Sequence, residues 1–127
     1  FFASSGVRSS VEAARNALSD KIQYLTEFLG GEYEIQGAYP AWEYRKESPL
    51  RDKMVEVYET MYGQKPEVVA IHAGLECGLF YKKIDGLDCV SLGPDMKDIH
   101  TSEEVLDIAS TERVWKYLVK VLEELKD

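Results

Sequence analysis

The chain has 127 residues, 45% of them apolar, enough for a compact core and short of two ordinary domains. Its formal net charge of −8 argues against nucleic acid or an anionic membrane surface as a partner. No apolar run reaches the ~18–20 residues needed to span a bilayer. All of the negative charge lies after Gly31, because Arg8, Arg15 and Lys21 balance Glu12, Asp20 and Glu27 before it. The opening FFASSGVRSS lacks the basic segment and long apolar core of a secretory signal. Cys77 and Cys89 are therefore expected to be reduced thiols in a cytosol. The chain begins at Phe1, in a strand-like pattern of Phe1, Phe2 and Val7, and reads as a piece of a longer protein.

Ser9-x-x-Glu12 is a capping-box signature. Val11, Ala14, Leu18, Ile22, Leu25 and Phe28/Leu29 follow at helical spacing, and Gly30-Gly31 predicts the stop. Glu32 to Gly37 alternates like a half-buried strand. The run Gly37–Trp42, with its glycine and Pro40, is the best boundary or hinge in the chain. Ser48-Pro49 predicts a helix start, Leu50, Met54, Val57/Tyr58 and Met61 its buried stripe, and Gly63 its end. Glu67 to Ile71 is a continuous apolar strand, Leu75 to Ile84 a short helix, and Asp88 to Leu92 a second strand ended by Gly93-Pro94. After a polar loop, Ser110 or Thr111 caps a last helix with Val114/Trp115, Leu118, Val121/Leu122 and Leu125 facing inward. From Trp42 the order helix, strand, helix, strand, helix is that of an α/β layer with parallel strands.

Ligands of open α/β sheets bind beyond the carboxyl ends of the strands. Two segments occupy such positions: His72-Ala73-Gly74-Leu75-Glu76-Cys77, and Gly93 through Glu104 with His100. His72 reads either as a satisfied histidine at a strand end or as a polar group aimed into a cleft. Gly74 permits a tight turn, and Glu76 either complements the helix dipole or meets a cationic amine. Cys77 reads as core or as a thiolate nucleophile with His72 as base. His100 lies among Asp95, Asp98, Glu103 and Glu104. Thr101-x-x-Glu104 is a further capping box, and the functional alternative is a histidine metal ligand in an electronegative pocket. One histidine with loose carboxylates falls short of a catalytic zinc site, which commonly takes three protein ligands and water.

His72-Ala-Gly-Leu-Glu-Cys-Gly78, Gly86-Leu-Asp-Cys-Val-Ser-Leu-Gly-Pro94 and Lys97-Asp-Ile-His-Thr-Ser-Glu-Glu104 together closely resemble the C-terminal part of the Xaa-His dipeptidases. These are also called aminoacylhistidine dipeptidases, or peptidase D, and are two-zinc metallopeptidases. The likeness runs on through Ile108–Arg113 and Trp115, and back through Lys65-Pro-Glu67, Ser48-Pro-Leu50 and Tyr39-Pro-Ala-Trp42 to Val7–Ser10. The resemblance implies a C-terminal fragment of a zinc-peptidase catalytic domain, α/β with helices on a mixed, mainly parallel sheet. A strand-helix-strand piece of a lid, or dimerisation, domain would precede it. Residues 1–41 would close the lid and residues 42–127 complete the catalytic domain.

By the same resemblance, His100 would match the C-terminal zinc ligand, and His72, Gly74 and Glu76 would lie in the substrate-binding turn. The other ligands, the general-base glutamate and a lid histidine would lie upstream of Phe1, so no catalytic residue is assigned within the chain. The implied reaction is hydrolysis of Xaa-His and similar dipeptides by a water activated between two zinc ions, with the chain inactive alone. The implied partners are a dipeptide and a second copy, through homodimer formation or self-association, in the cytoplasm, with neither nucleic acid nor membrane. Two other readings stand beside it: a non-catalytic acidic binding or dimerisation module of the same fold, and a cysteine enzyme built on Cys77.

Overall fold

The computed structural model describes residues 1–71 and 76–126. It contains four helices and one small antiparallel sheet: α1 (Glu12–Phe28), α2 (Pro49–Tyr62), α3 (Glu76–Lys83), β1 (Met96–Lys97), β2 (Val105–Leu106) and α4 (Ile108–Glu124). The chain forms two compact units, Phe1–Glu47 with Val69–Leu87, and Ser48–Val68 with Asp88–Asp127.

In the first unit α1 ends as its glycines predict. Gly30 takes the left-handed conformation at φ 79°. Its N–H donates to the Glu27 carbonyl at 3.0 Å, and the Gly31 N–H donates to the Thr26 carbonyl at 2.9 Å. These two bonds are the Schellman arrangement that satisfies the last carbonyls of a helix. The start of α1 differs from expectation. The cap residue is Val11, with no side-chain cap, and Ser9 Oγ accepts the Val11 N–H at 3.1 Å. Glu12 turns to two cations, Arg15 at 3.7 Å and Lys82 at 3.5 Å, instead of reaching back to Ser9. The expected inward stripe is also corrected: no residue of α1 is buried, and Phe28 is 86% exposed. Periodicity forms an amphipathic helix, but no described element of the unit packs over that face.

The second unit holds the core. Met54 and Val57 of α2 pack on Tyr117 and Val121 of α4, with Leu50, Tyr58, Met61, Tyr62 and Val90 around them. The Tyr117 hydroxyl donates to the Met54 carbonyl at 2.7 Å, which lets a phenol be buried without an orphaned polar atom. Its ring meets Tyr58 edge-on with centroids 5.4 Å apart. The expected stripe on α4 therefore holds at Val121 and, partly buried, at Val114 and Leu118, whereas Tyr117 lies inside unexpectedly and Trp115 stays 65% exposed.

The α2 start is as read from the sequence. Ser48 Oγ accepts the Arg51 N–H at 3.1 Å, Pro49 stands at the first helical position, and Gly63 closes the helix at φ 69°. Asp88 adds a long-range cap, accepting the Ser48 hydroxyl at 2.7 Å and the Leu50 N–H at 3.0 Å. The α4 start is earlier than expected. Asp107 is the cap, its carboxylate accepting the Ser110 N–H, and this releases the Ser110 side chain for a different bond.

The segments 67–71 and 88–92, expected as strands of a mainly parallel sheet, and 32–37, expected as a half-buried strand before it, form no ladder in the described structure. A strand needs a neighbour for its backbone groups, and none of the three finds one among the described residues. Val69 accordingly remains 63% exposed. The ladder that does form lies in the supposed polar loop, pairing Met96 with Leu106 and Lys97 with Val105. Among the described residues, no helix is long and apolar enough to cross a membrane.

Candidate functional site

His100 sits in the loop joining β1 to β2. Three bonds tie the base of this hairpin to the start of α4. The Asp107 N–H donates to the Asp95 carbonyl at 2.9 Å. The Asp95 N–H donates to Ser110 Oγ at 2.8 Å, and Arg113 meets the Asp95 carboxylate at 3.3 Å. Ser110 is only 2% exposed, and its hydroxyl donates onward to the Asp107 carbonyl at 2.7 Å. Hairpin and helix start are thus one hydrogen-bonded junction.

At the tip, Asp98 and His100 both have positive φ, 51° and 67°. This left-handed backbone is uncommon for residues with a Cβ and least so for Asp, Asn and His. The surroundings hold it in place. Asp98 O accepts both the Thr101 N–H at 3.1 Å and the Thr101 hydroxyl at 2.7 Å. Glu104 Oε2 accepts the His100 N–H at 2.7 Å. The expected Thr101 capping box is therefore replaced by a turn: Thr101 Oγ1 accepts the Glu103 N–H at 3.1 Å, and no helix follows. Glu104 fixes the His100 backbone, while the imidazole lies on a residue exposed to solvent.

Of the expected substrate-binding residues, His72 and Gly74 lie outside the described residues. Glu76 is the first residue of α3 and is exposed. Its carboxylate stands in the first turn, where it offsets the positive end of the helix dipole and is open to a cation from solvent. Glu76 belongs to the first unit and His100 to the second. Cys77 and Cys89 are partly buried thiols, not a disulfide.

Among the described residues, no group of three His, Cys, Asp or Glu side chains converges as metal ligands would. The Asp95 and Glu104 carboxylates are engaged with Arg113 and the His100 N–H. The described residues thus supply one imidazole and no complete metal site, since zinc takes three or four protein ligands. Sequence reading missed Glu104 as the group that orients His100, having assigned it to a cap. The close spacing of Asp98 and His100, two residue types that tolerate positive φ, was the available signal for a tight turn.

No protein-family model matches the chain. It is 33% identical over 119 residues to the cytosol non-specific dipeptidase of Escherichia coli (strain K12), covering 94% of this chain and 24% of that protein. The crystal structure of aminoacylhistidine dipeptidase from Vibrio alginolyticus superposes with a TM-score of 0.74 and 34% identity, again over 94% of this chain and 24% of that one. The chain spans about a quarter of the length of these relatives.

Proposed function

We propose, from the homology of this chain to dipeptidases, that it is part of a metal-dependent dipeptidase hydrolysing Xaa-His and similar dipeptides. The observation that carries this reading is the match of sequence and fold together over 94% of the chain. Residues 1–41 belong to the closing part of a lid domain and residues 42–127 to the catalytic domain. His100 is one zinc ligand, which its exposed position on a backbone pinned by Glu104 supports. His72, Gly74 and Glu76 form the substrate-binding turn, where the open carboxylate of Glu76 suits the ammonium end of a dipeptide.

Zinc, when bound, supplies a polarised water of lowered pKa. Its remaining ligands and the general base lie outside the described residues, so the chain alone is inactive. The protein works in the cytoplasm, in keeping with the name of its Escherichia coli relative. Exposed apolar side chains such as Phe28, Val69 and Trp115 favour self-association.

Hydrolysis of an Xaa-His dipeptide by the full-length protein, before and after chelation, tests this reading. Activity is expected to need metal, and Glu76→Gln to lower kcat/KM by roughly tenfold, the loss of one charge-assisted contact. Unchanged kcat/KM in Glu76→Gln would remove Glu76 from the site, and metal-independent hydrolysis would remove the mechanism.

A further inference from the structure

Gly78 is a costly choice for its place. It lies inside α3, where glycine is less favourable than alanine by about 1 kcal/mol. Its surroundings account for it. Gly78 is buried, and a methyl group there would stand 3.0 Å from the Pro40 carbonyl oxygen, 3.5 Å from Trp42 Cβ and 3.7 Å from the Ala41 carbonyl oxygen. The segment Pro40–Trp42 therefore lies directly on the helix, so close that a Cβ at residue 78 would push the Pro40 carbonyl back by a few tenths of an ångström.

A second attachment holds the same segment beyond the other end of α3. Arg45 Nη1 donates to the carbonyls of Gly86 at 3.1 Å and Leu87 at 3.2 Å. The stretch from Pro40 to Arg45 thus meets α3 two residues after Glu76 and the chain again after its last residue. Its first residues, Pro40 to Trp42, are the end of the run Gly37–Trp42 where the sequence places its hinge.

We propose that Gly78 and Arg45 are positioning residues, which set Glu76 at the start of α3 by docking the hinge segment on that helix. The proposal rests on the dipeptidase reading above and extends it. A shift of the hinge segment is passed to Glu76 through the short helix start, and a displaced carboxylate loses its charge-assisted contact to the substrate, which weakens binding without touching the chemical step.

The test uses Gly78→Ala and Arg45→Ala in the full-length protein, with Gly6→Ala as control. A methyl on Gly6 meets only Arg8 Nε at 3.8 Å. Expected for both variants is a KM for an Xaa-His dipeptide raised roughly tenfold with kcat changed less than about twofold, the signature of lost binding alone. Gly6→Ala is expected to match wild type.

A readout independent of activity is Trp42 fluorescence, taken as the difference in emission between each full-length protein and the same protein carrying Trp42→Phe. Its emission is expected to shift on Gly78→Ala and to stay unmoved on Gly6→Ala. An unmoved Trp42 overturns the docking. A displaced Trp42 with unchanged KM overturns the positioning role alone. A wild-type protein without dipeptidase activity overturns the functional reading, and the positioning role with it. Should Gly78→Ala fail to fold, Arg45→Ala decides, because it loosens the docking without adding volume.

Discussion

In the ligand role proposed for it, His100 depends on a group that would not itself touch the metal. Its backbone is held at φ 67°, and the Glu104 carboxylate that accepts its N–H at 2.7 Å keeps it there. Without that acceptor the left-handed turn loses one of the bonds that hold it, and the backbone that carries the imidazole is less constrained. Outer partners of metal ligands typically contribute about 10–100-fold in affinity. Glu104→Ala is therefore expected to weaken zinc binding at His100 by roughly tenfold, and Glu104→Gln by less, because an amide oxygen still accepts. Equal titration curves for wild type and Glu104→Ala would show that the backbone bond is irrelevant to the imidazole. The part of this site legible in the sequence was the histidine in an acidic loop. The part that was not, the role of Glu104, depends on a hairpin whose two-residue strands are too short to show alternation.

Helices were read well where their signals are local. Ser48-Pro49, Gly30-Gly31 and Gly63 act within their own turn of chain, and each appears in the structure at its expected place. Tertiary contacts decided the rest. Asp107 replaced Ser110 as the cap of α4, since the Ser110 side chain is spent on Asp95. Tyr117 took the buried place expected of Trp115, since its hydroxyl reaches the Met54 carbonyl across the α2–α4 pair.

Burial, with Tyr58 and Tyr62 nearby, raises the Tyr117 pKa above its ordinary 10.0. The folded state thus holds the phenol proton more tightly than the unfolded chain. Stability from this group is complete below pH ~10 and is lost as pH rises through the raised value. Tyr117→Phe is expected to cost about 1 kcal/mol at neutral pH, the worth of one buried hydrogen bond, and to lessen the alkaline fall. Thermal unfolding of both proteins at pH 8 and 10.5 checks this. Parallel losses in the two would place the alkaline sensitivity elsewhere.

Across the molecule, strands were the least legible feature, for a physical reason. A strand is completed by a neighbour, and the apolar runs at 67–71 and 88–92 carry strand composition without a ladder among the described residues. Motif reading was less affected, because it rests on combinations of residues and not on pairing, and the resemblance it identified matches the relatives found by sequence and by fold. The account as a whole rests on His100 being one ligand of a metal centre completed elsewhere. Equilibrium dialysis of zinc against this chain and its His100→Ala variant tests it. Weak binding, lost in His100→Ala, is the predicted result. Zinc binding of the same strength in both would contradict it.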